Sequence, residues 1–156
     1  MTINATEIAA NMADIRSRIR SAAASAGRSP DSIRLIAVSK RMPVEYVRMA
    51  MDAGQFCFGE NTLQDAQTKQ ALIDDSRTEW HFIGHLQTNK AKAIPGRFAW
   101  LHTLDSLKLA QHLSSAALAM DHVLNVLLQI NVANDPAKFG LPADRVLPFV
   151  DNLLEI

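Results

Sequence analysis

Apolar positions along this chain follow two rhythms. Near the start, Ile8, Met12, Ile15 and Ile19 fall four, three and four residues apart, the spacing of one stripe on an α-helix. Asn4 and Glu7 stand three apart at its head, a capping-box spacing with asparagine in place of serine or threonine. Gly27 offers a left-handed stop, so a helix of about five turns is expected at ~3.6 residues per turn. From residue 33 the rhythm changes. Residues 33–40, IRLIAVSK, form a short continuous apolar run, as in a strand covered on both faces. Pro43 then opens a short helix over 44–53 that ends at Gly54.

The alternation continues to the end of the sequence. Strands are expected over 56–61, 80–84, 100–105 and 125–131. Helices are expected over 62–74, 87–94 and 106–120, the middle one stopped by Pro95-Gly96. Residues 135–140 read as a loop, and Pro142 opens a fifth helix interrupted or kinked at Pro148. Strands alternating with helices through short turns predict right-handed parallel βαβ units. A doubly wound open sheet and a closed barrel both satisfy that pattern. The doubly wound dinucleotide fold should carry a glycine-rich turn after its first strand. Here that turn is SKRMP, without glycine. The expected class is therefore α/β, a (β/α)8 TIM-type barrel with about five β/α units present, preceded by an N-terminal helix. One domain is expected over residues 1–156. Eight units typically take ~250 residues. The expectation is thus either a piece of a longer barrel or a sequence from which later units are missing.

Composition narrows the function classes. The 156 residues are 48% hydrophobic and 21% charged, as in ordinary globular domains. Lys+Arg and Asp+Glu are 16 each, so no net field draws the chain to nucleic acid or an anionic membrane. No apolar run approaches the ~20 residues of a membrane helix. The first twenty residues lack the basic-then-apolar order of a signal peptide. Cys57 is the only cysteine, which excludes an intrachain disulfide and a thiolate metal cage. A cytoplasmic protein is expected.

Barrel active sites lie at the carboxyl ends of the strands. The strands deliver Lys40, then Gly59-Glu60-Asn61, then Gly84-His85 above His81, then His102 to Asp105, then Gln129 to Asn131. Side chains alternate along a strand. If Lys40 faces the lumen, so do Val38 and Ile36, while Leu35 and Ala37 meet helices. If Asn61 does, so do Gly59 and Cys57, while Phe56 and Phe58 pack outward. Small residues at 57 and 59 should leave room for a flat ligand near Lys40. A deprotonated lysine amine there can attack an aldehyde to form a Schiff base. Strand-terminal lysines in general are solvated charges, so position alone does not establish that chemistry.

Four motifs carry a resemblance. AVSK followed by Pro43, FGENTLQDAQTK, EWHFIGHLQTNKAK and LNVLLQINVANDPAKFG resemble the pyridoxal phosphate homeostasis protein family, which is similar to the N-terminal barrel of alanine racemase. The resemblance runs from about residue 33 to 140, and more loosely over the rest. It implies that Lys40 holds pyridoxal 5'-phosphate as an internal aldimine. Asn61 would lie close to the cofactor, and His81 and Ile83 would help form the pocket beside its ring. Lys138 matches a recurrent lysine at the mouth, for which a solvated loop cation is an equal alternative. In the family, later units carry the phosphate-gripping turns and an arginine against the pyridine nitrogen. Those units lie outside this sequence, and weak cofactor binding and poor folding are expected of these 156 residues alone.

Other clusters imply less. His81 and His85 flank Phe82-Ile83, a strand rather than a helix face, and the zinc-protease glutamate is missing. Asn89, Lys90 and Lys92 read as a solvated face. Met42, Met49 and Met51 read as core filler, and Trp80 and Trp100 as packing anchors at the lower rim. The function implied is a carrier that buffers the cofactor inside the cell and passes it to apo enzymes, as a monomer when full length and without robust catalysis. The alternative is a pyridoxal-phosphate-dependent amino-acid racemase, which needs a second acid/base group opposite the lysine. Tyr46, the single tyrosine, is poorly placed for that role.

Overall fold

The computed structural model describes residues 4–156; residues 1–3 lie outside the described residues. Helix α1 (Ala5–Ser25) starts on the expected capping box. Asn4 Oδ1 accepts from the Glu7 amide at 3.0 Å, and the Glu7 carboxylate accepts from the Asn4 amide at 2.9 Å. Met12 of the apolar stripe is buried, Ile8 and Ile19 are half-buried, and Ile15 lies at the exposed margin. Arg16 donates to the Ala53 carbonyl at 2.6 Å, tying α1 to the end of α2 (Val44–Asp52).

The main sheet contains β1 (Ala37–Val38), β2 (Cys57–Glu60), β3 (Glu79–Phe82), β4 (Trp100–Leu104) and β5 (Asn125–Leu128). All neighbours are parallel and follow chain order, β1-β2-β3-β4-β5. A doubly wound sheet reverses direction at a switch point. This sheet has none, and its order is that of successive units of a (β/α) barrel. Between the strands run α2, α3 (Leu63–Leu72), a 3₁₀ segment (Thr88–Ala93) and α4 (Leu107–Leu118). Thr62 and Ser106 cap α3 and α4 through their hydroxyls.

Alternation divides the sheet as expected. Phe58, Trp80, Phe82 and Leu101 face the helices and form the core with Val47, Ala66, Ile94, Phe98, Leu109 and Leu113. Phe58 and Trp80 lie 5.6 Å apart, and Phe82 meets Phe98 edge-on at 5.3 Å. Each such fully buried side chain contributes roughly 1.5–3 kcal/mol. Trp80 is thus a core residue. Met42 is 46% exposed and fills no core.

Several boundaries differ from the sequence expectation. The strand expected over 33–40 keeps only Ala37–Val38 as β1, because β1 has β2 as its single neighbour among the described residues and the Ser39 carbonyl turns to accept from the Met42 amide while its own amide still bonds to β2. The helix expected over 87–94 is the 3₁₀ segment, with Pro95 unable to prolong it. The strand expected over 125–131 breaks at Gln129. Its last part, β6 (Ile130–Asn131), pairs in parallel with an unforeseen β7 (Leu141–Pro142). After a 3₁₀ turn (Ala143–Arg145), α5 (Val146–Leu153) carries Pro148 in its first turn. A helix's first amides have no partner within it, so proline breaks nothing there.

Candidate functional site

The carboxyl ends of β1 and β2 are fastened from behind. Ser39 and Glu60 face the helix layer and are buried, as is Lys69 of α3. One Glu60 oxygen accepts from the Ser39 hydroxyl and from Lys69 Nζ, each at 2.6 Å. Lys69 Nζ also donates to the Ser39 carbonyl at 2.7 Å. Sequence reasoning missed this group. Its signal was present: Ala66, Lys69 and Ile73 share one helix face by spacing, and Glu60 has the parity of the core residue Phe58. A carboxylate there requires a buried partner.

Lys40 and Asn61 are the next residues along these two strands. Ala37 pairs with Phe58 and Val38 with Gly59, and the Ser39 amide donates to the Gly59 carbonyl at 3.0 Å. Lys40 and Asn61 therefore leave adjacent strands at one level. Lys40 is exposed and Asn61 half-buried. Asn61 Oδ1 is buried and has no hydrogen-bond partner among the described residues. Ile83 follows β3, with its amide donating to the Glu60 carbonyl at 2.8 Å. A Cβ on Gly59 would meet Ile83 Cδ1 at 3.1 Å and Ile36 Cγ2 at 3.4 Å. The room expected above Gly59 is thus filled by Ile36 and Ile83, which form an apolar floor. Gly84 is obligatory for contact: a Cβ there would overlap the Asn61 backbone carbonyl. Thr103 fastens that turn by donating to the Gly84 carbonyl at 2.6 Å.

His81 lies one lumenal position below Ile83. It is 1% exposed, so it supports the floor from beneath and does not line an open pocket. A carboxylate only accepts, so the 2.7 Å contact to Glu79 puts the proton on His81 Nε2. Neutral His81 then accepts at Nδ1 from His102 Nε2, 2.9 Å away. Arg34 pairs with the same Glu79 oxygen at 2.6 Å. Burial pushes both imidazoles below their usual value; the hydrogen bond from Glu79 opposes this at His81, and the neighbouring His81 adds to it at His102. Trp100 stacks on His81, rings 2° from parallel, under the Arg34 guanidinium. Trp100 opens β4 and packs there as a half-buried anchor. Cys57, Glu79 and His81 bring potential metal-ligating atoms within 4.8 Å of one another. His81 uses both ring nitrogens on Glu79 and His102, Glu79 Oε1 is shared by Arg34 and His81, and burial followed by Glu79 pushes the Cys57 thiol up.

At the upper rim His85 stacks on Phe139, centroids 3.6 Å apart, with Asp105 3.9 Å away. This holds the loop after β6 against the strand ends. Lys138 in that loop is exposed and paired with Asp135 at 3.4 Å. Tyr46 borders a small cavity with Val47 and Phe58 on the helix side. It is not placed opposite Lys40 across the mouth.

Residues 3–155 match the family described as alanine racemase, N-terminal domain. A pyridoxal phosphate homeostasis protein of Pseudomonas aeruginosa is 48% identical over 133 residues, 85% of this chain and 58% of its own length. That of Escherichia coli is 42% identical over 138 residues, 86% of this chain and 59% of its own. This chain thus spans under two thirds of these relatives. PipY of Synechococcus elongatus, solved with pyridoxal phosphate bound, superposes with a TM-score of 0.77 at 38% identity, over 94% of this chain and 65% of its own. Without the cofactor it superposes at 0.82 and 36% identity, over 95% and 65%. Alanine racemase of Enterococcus faecalis, at 16% identity and a TM-score of 0.54 over 88% and 38%, shares the fold. The chain belongs to the alanine racemase N-terminal domain family.

Proposed function

We propose that this chain binds pyridoxal 5'-phosphate through Lys40 and serves the intracellular homeostasis of that cofactor without robust catalysis. The observation that carries the reading is the pairing of an exposed Lys40 with an unsatisfied, buried Asn61 Oδ1 at the same level of adjacent strands. Buried polar atoms are normally hydrogen-bonded, so an orphan on the strand next to an exposed lysine suits a polar ligand. The residues fit the cofactor's chemistry. Bound there, pyridoxal phosphate supplies an aldehyde carbon that Lys40 Nζ can capture reversibly with loss of water. Ile36 and Ile83 offer the ring an apolar floor, Asn61 offers a hydrogen-bonding edge, and His81 braces the floor from below.

The names of the similar bacterial proteins support the homeostasis role. Those names are what favour the carrier reading over a racemase, and Tyr46 borders the helix layer. Apo pyridoxal-phosphate enzymes are the proposed recipients, the cytoplasm is the proposed compartment, and the full-length protein is proposed to be a one-domain monomer. Among the described residues no helix is long and apolar enough to cross a membrane.

The test is titration of the full-length protein with pyridoxal 5'-phosphate, followed by borohydride reduction and peptide mapping. A visible absorption band and a fixed label on Lys40 are expected, both lost in Lys40→Ala. A label spread evenly over exposed lysines would refute the reading. Alanine racemisation that vanishes in Lys40→Ala would replace the carrier with an enzyme.

A further inference from the structure

The Glu60–Lys69 pair is an unusual thing to bury. Its side chains are 0% and 7% exposed, and the ions meet at 2.6 Å. Removing two charges from water offsets most of their attraction, so such a pair is a poor source of stability. Its partners suggest another role. All three short bonds converge on Ser39, the residue before Lys40, and on Glu60, the residue before Asn61. The Ser39 carbonyl that Lys69 holds also accepts from the Met42 amide at 3.0 Å. That bond closes a turn in which Arg41 takes the left-handed φ of 61°. A non-glycine residue stays in that region only where its surroundings hold it.

We propose that Glu60 and Lys69 are positioning residues for the cofactor site: their ion pair fixes the Ser39 carbonyl and so aims the Lys40 side chain at the level of Asn61. The inference rests on the reading that Lys40 captures the cofactor aldehyde. Neither residue needs to touch the ligand. Glu60 and Lys69 lie behind the strands, and Lys40 is the exposed residue that follows Ser39. Glu60 holds both strand ends at once, since it belongs to β2 and binds the residue that follows β1. Loss of the pair leaves the Lys40 amine present but free to sample other directions.

Visible circular dichroism of the bound cofactor distinguishes positioning from simple support. A chromophore held in one orientation gives a signal; one on a wandering lysine absorbs light but gives little. The probe is pyridoxal 5'-phosphate, titrated into the full-length protein as wild type, Lys40→Ala, the charge-free double variant Glu60→Gln with Lys69→Met, and the milder Ser39→Ala. Far-ultraviolet spectra set the temperature at which each is folded. The double variant is expected to keep the borohydride-fixable label on Lys40. Its affinity should fall about ten- to a hundredfold, the scale of a misplaced reacting group, with the visible dichroism per bound cofactor at least halved. Ser39→Ala should show a smaller change of the same sign, and it decides the matter if the double variant does not fold. Folded variants with wild-type affinity and dichroism overturn the positioning role alone. A wild-type chain that takes no label on Lys40 overturns the cofactor reading and this inference with it.

Discussion

His81 and His102 share one hydrogen bond, Nδ1 to Nε2 at 2.9 Å, with their rings edge to face at 71°. Glu79 binds the far side of His81, so this contact fails once both imidazoles are protonated and neither facing nitrogen can accept. Both imidazoles are held below their usual value of 6.5, by burial first in each case. The unfolded chain takes up protons near ~6.5, where the native chain resists them. The native state is therefore favoured above that pH and loses stability as pH falls from there toward the depressed values. The melting temperature should drop by a few degrees between pH 7.5 and 5.5. His102→Gln, which removes one of the two titrating groups, should flatten that slope. An equally steep slope in the variant would show that other groups cause it.

Gly84→Ala tests how closely two strand ends approach. The added methyl would overlap the Asn61 carbonyl, which is backbone and cannot rotate aside. Overpacking typically costs about 1–3 kcal/mol, and a backbone clash belongs at the top of that range. A large fall in denaturation midpoint is expected, together with loss of cofactor binding. Gly27→Ala is the informative contrast: it meets nothing within 4 Å, although its φ of +63° disfavours a side chain. Its cost should be about 1–2 kcal/mol, with binding unchanged.

Periodicity made the architecture legible. The apolar stripe of α1, the strand-helix alternation and the parity of Phe58 against Gly59 each follow from local rules, and a turn without glycine separated a barrel from a doubly wound sheet. What stayed hidden depended on partners distant in sequence. Lys69 looks like one more polar residue on α3 until Glu60 faces it from β2. His81 carries a ring able to bind a ligand, and only the neighbouring strand shows it sealed by Trp100 and His102. The space expected over Gly59 disappeared for the same reason, since isoleucines from β3 and the approach to β1 reach across to fill it. The break at Gln129 reflects a second, two-residue parallel pairing, too short to leave a period.

Cys57 should be a slow nucleophile. Burial and then the nearby Glu79 charge push its thiol above the usual 9.0, with Arg34 pulling the other way. The thiolate is the reactive form, so alkylation by iodoacetamide at pH 8 should run more slowly than for an exposed cysteine. Glu79→Gln removes one raising cause and frees Arg34, so alkylation should accelerate. A rate unchanged by that substitution would leave burial as the sole cause.

Asn61→Ala separates a binding role from a structural one. An asparagine that braced the fold would use both ends of its amide, and its loss would cost about 1–3 kcal/mol per unsatisfied partner. Asn61 Oδ1 is buried without a partner, so truncation leaves no acceptor stranded there and relieves the desolvation of that oxygen. Stability should hold within roughly 0.5 kcal/mol or rise slightly. Affinity for pyridoxal 5'-phosphate should fall about tenfold, as expected when one neutral hydrogen bond of about 1.5 kcal/mol is lost. Thermal melting and cofactor titration on the same sample measure both. A destabilised variant with unchanged affinity would move Asn61 from the cofactor site to the scaffold.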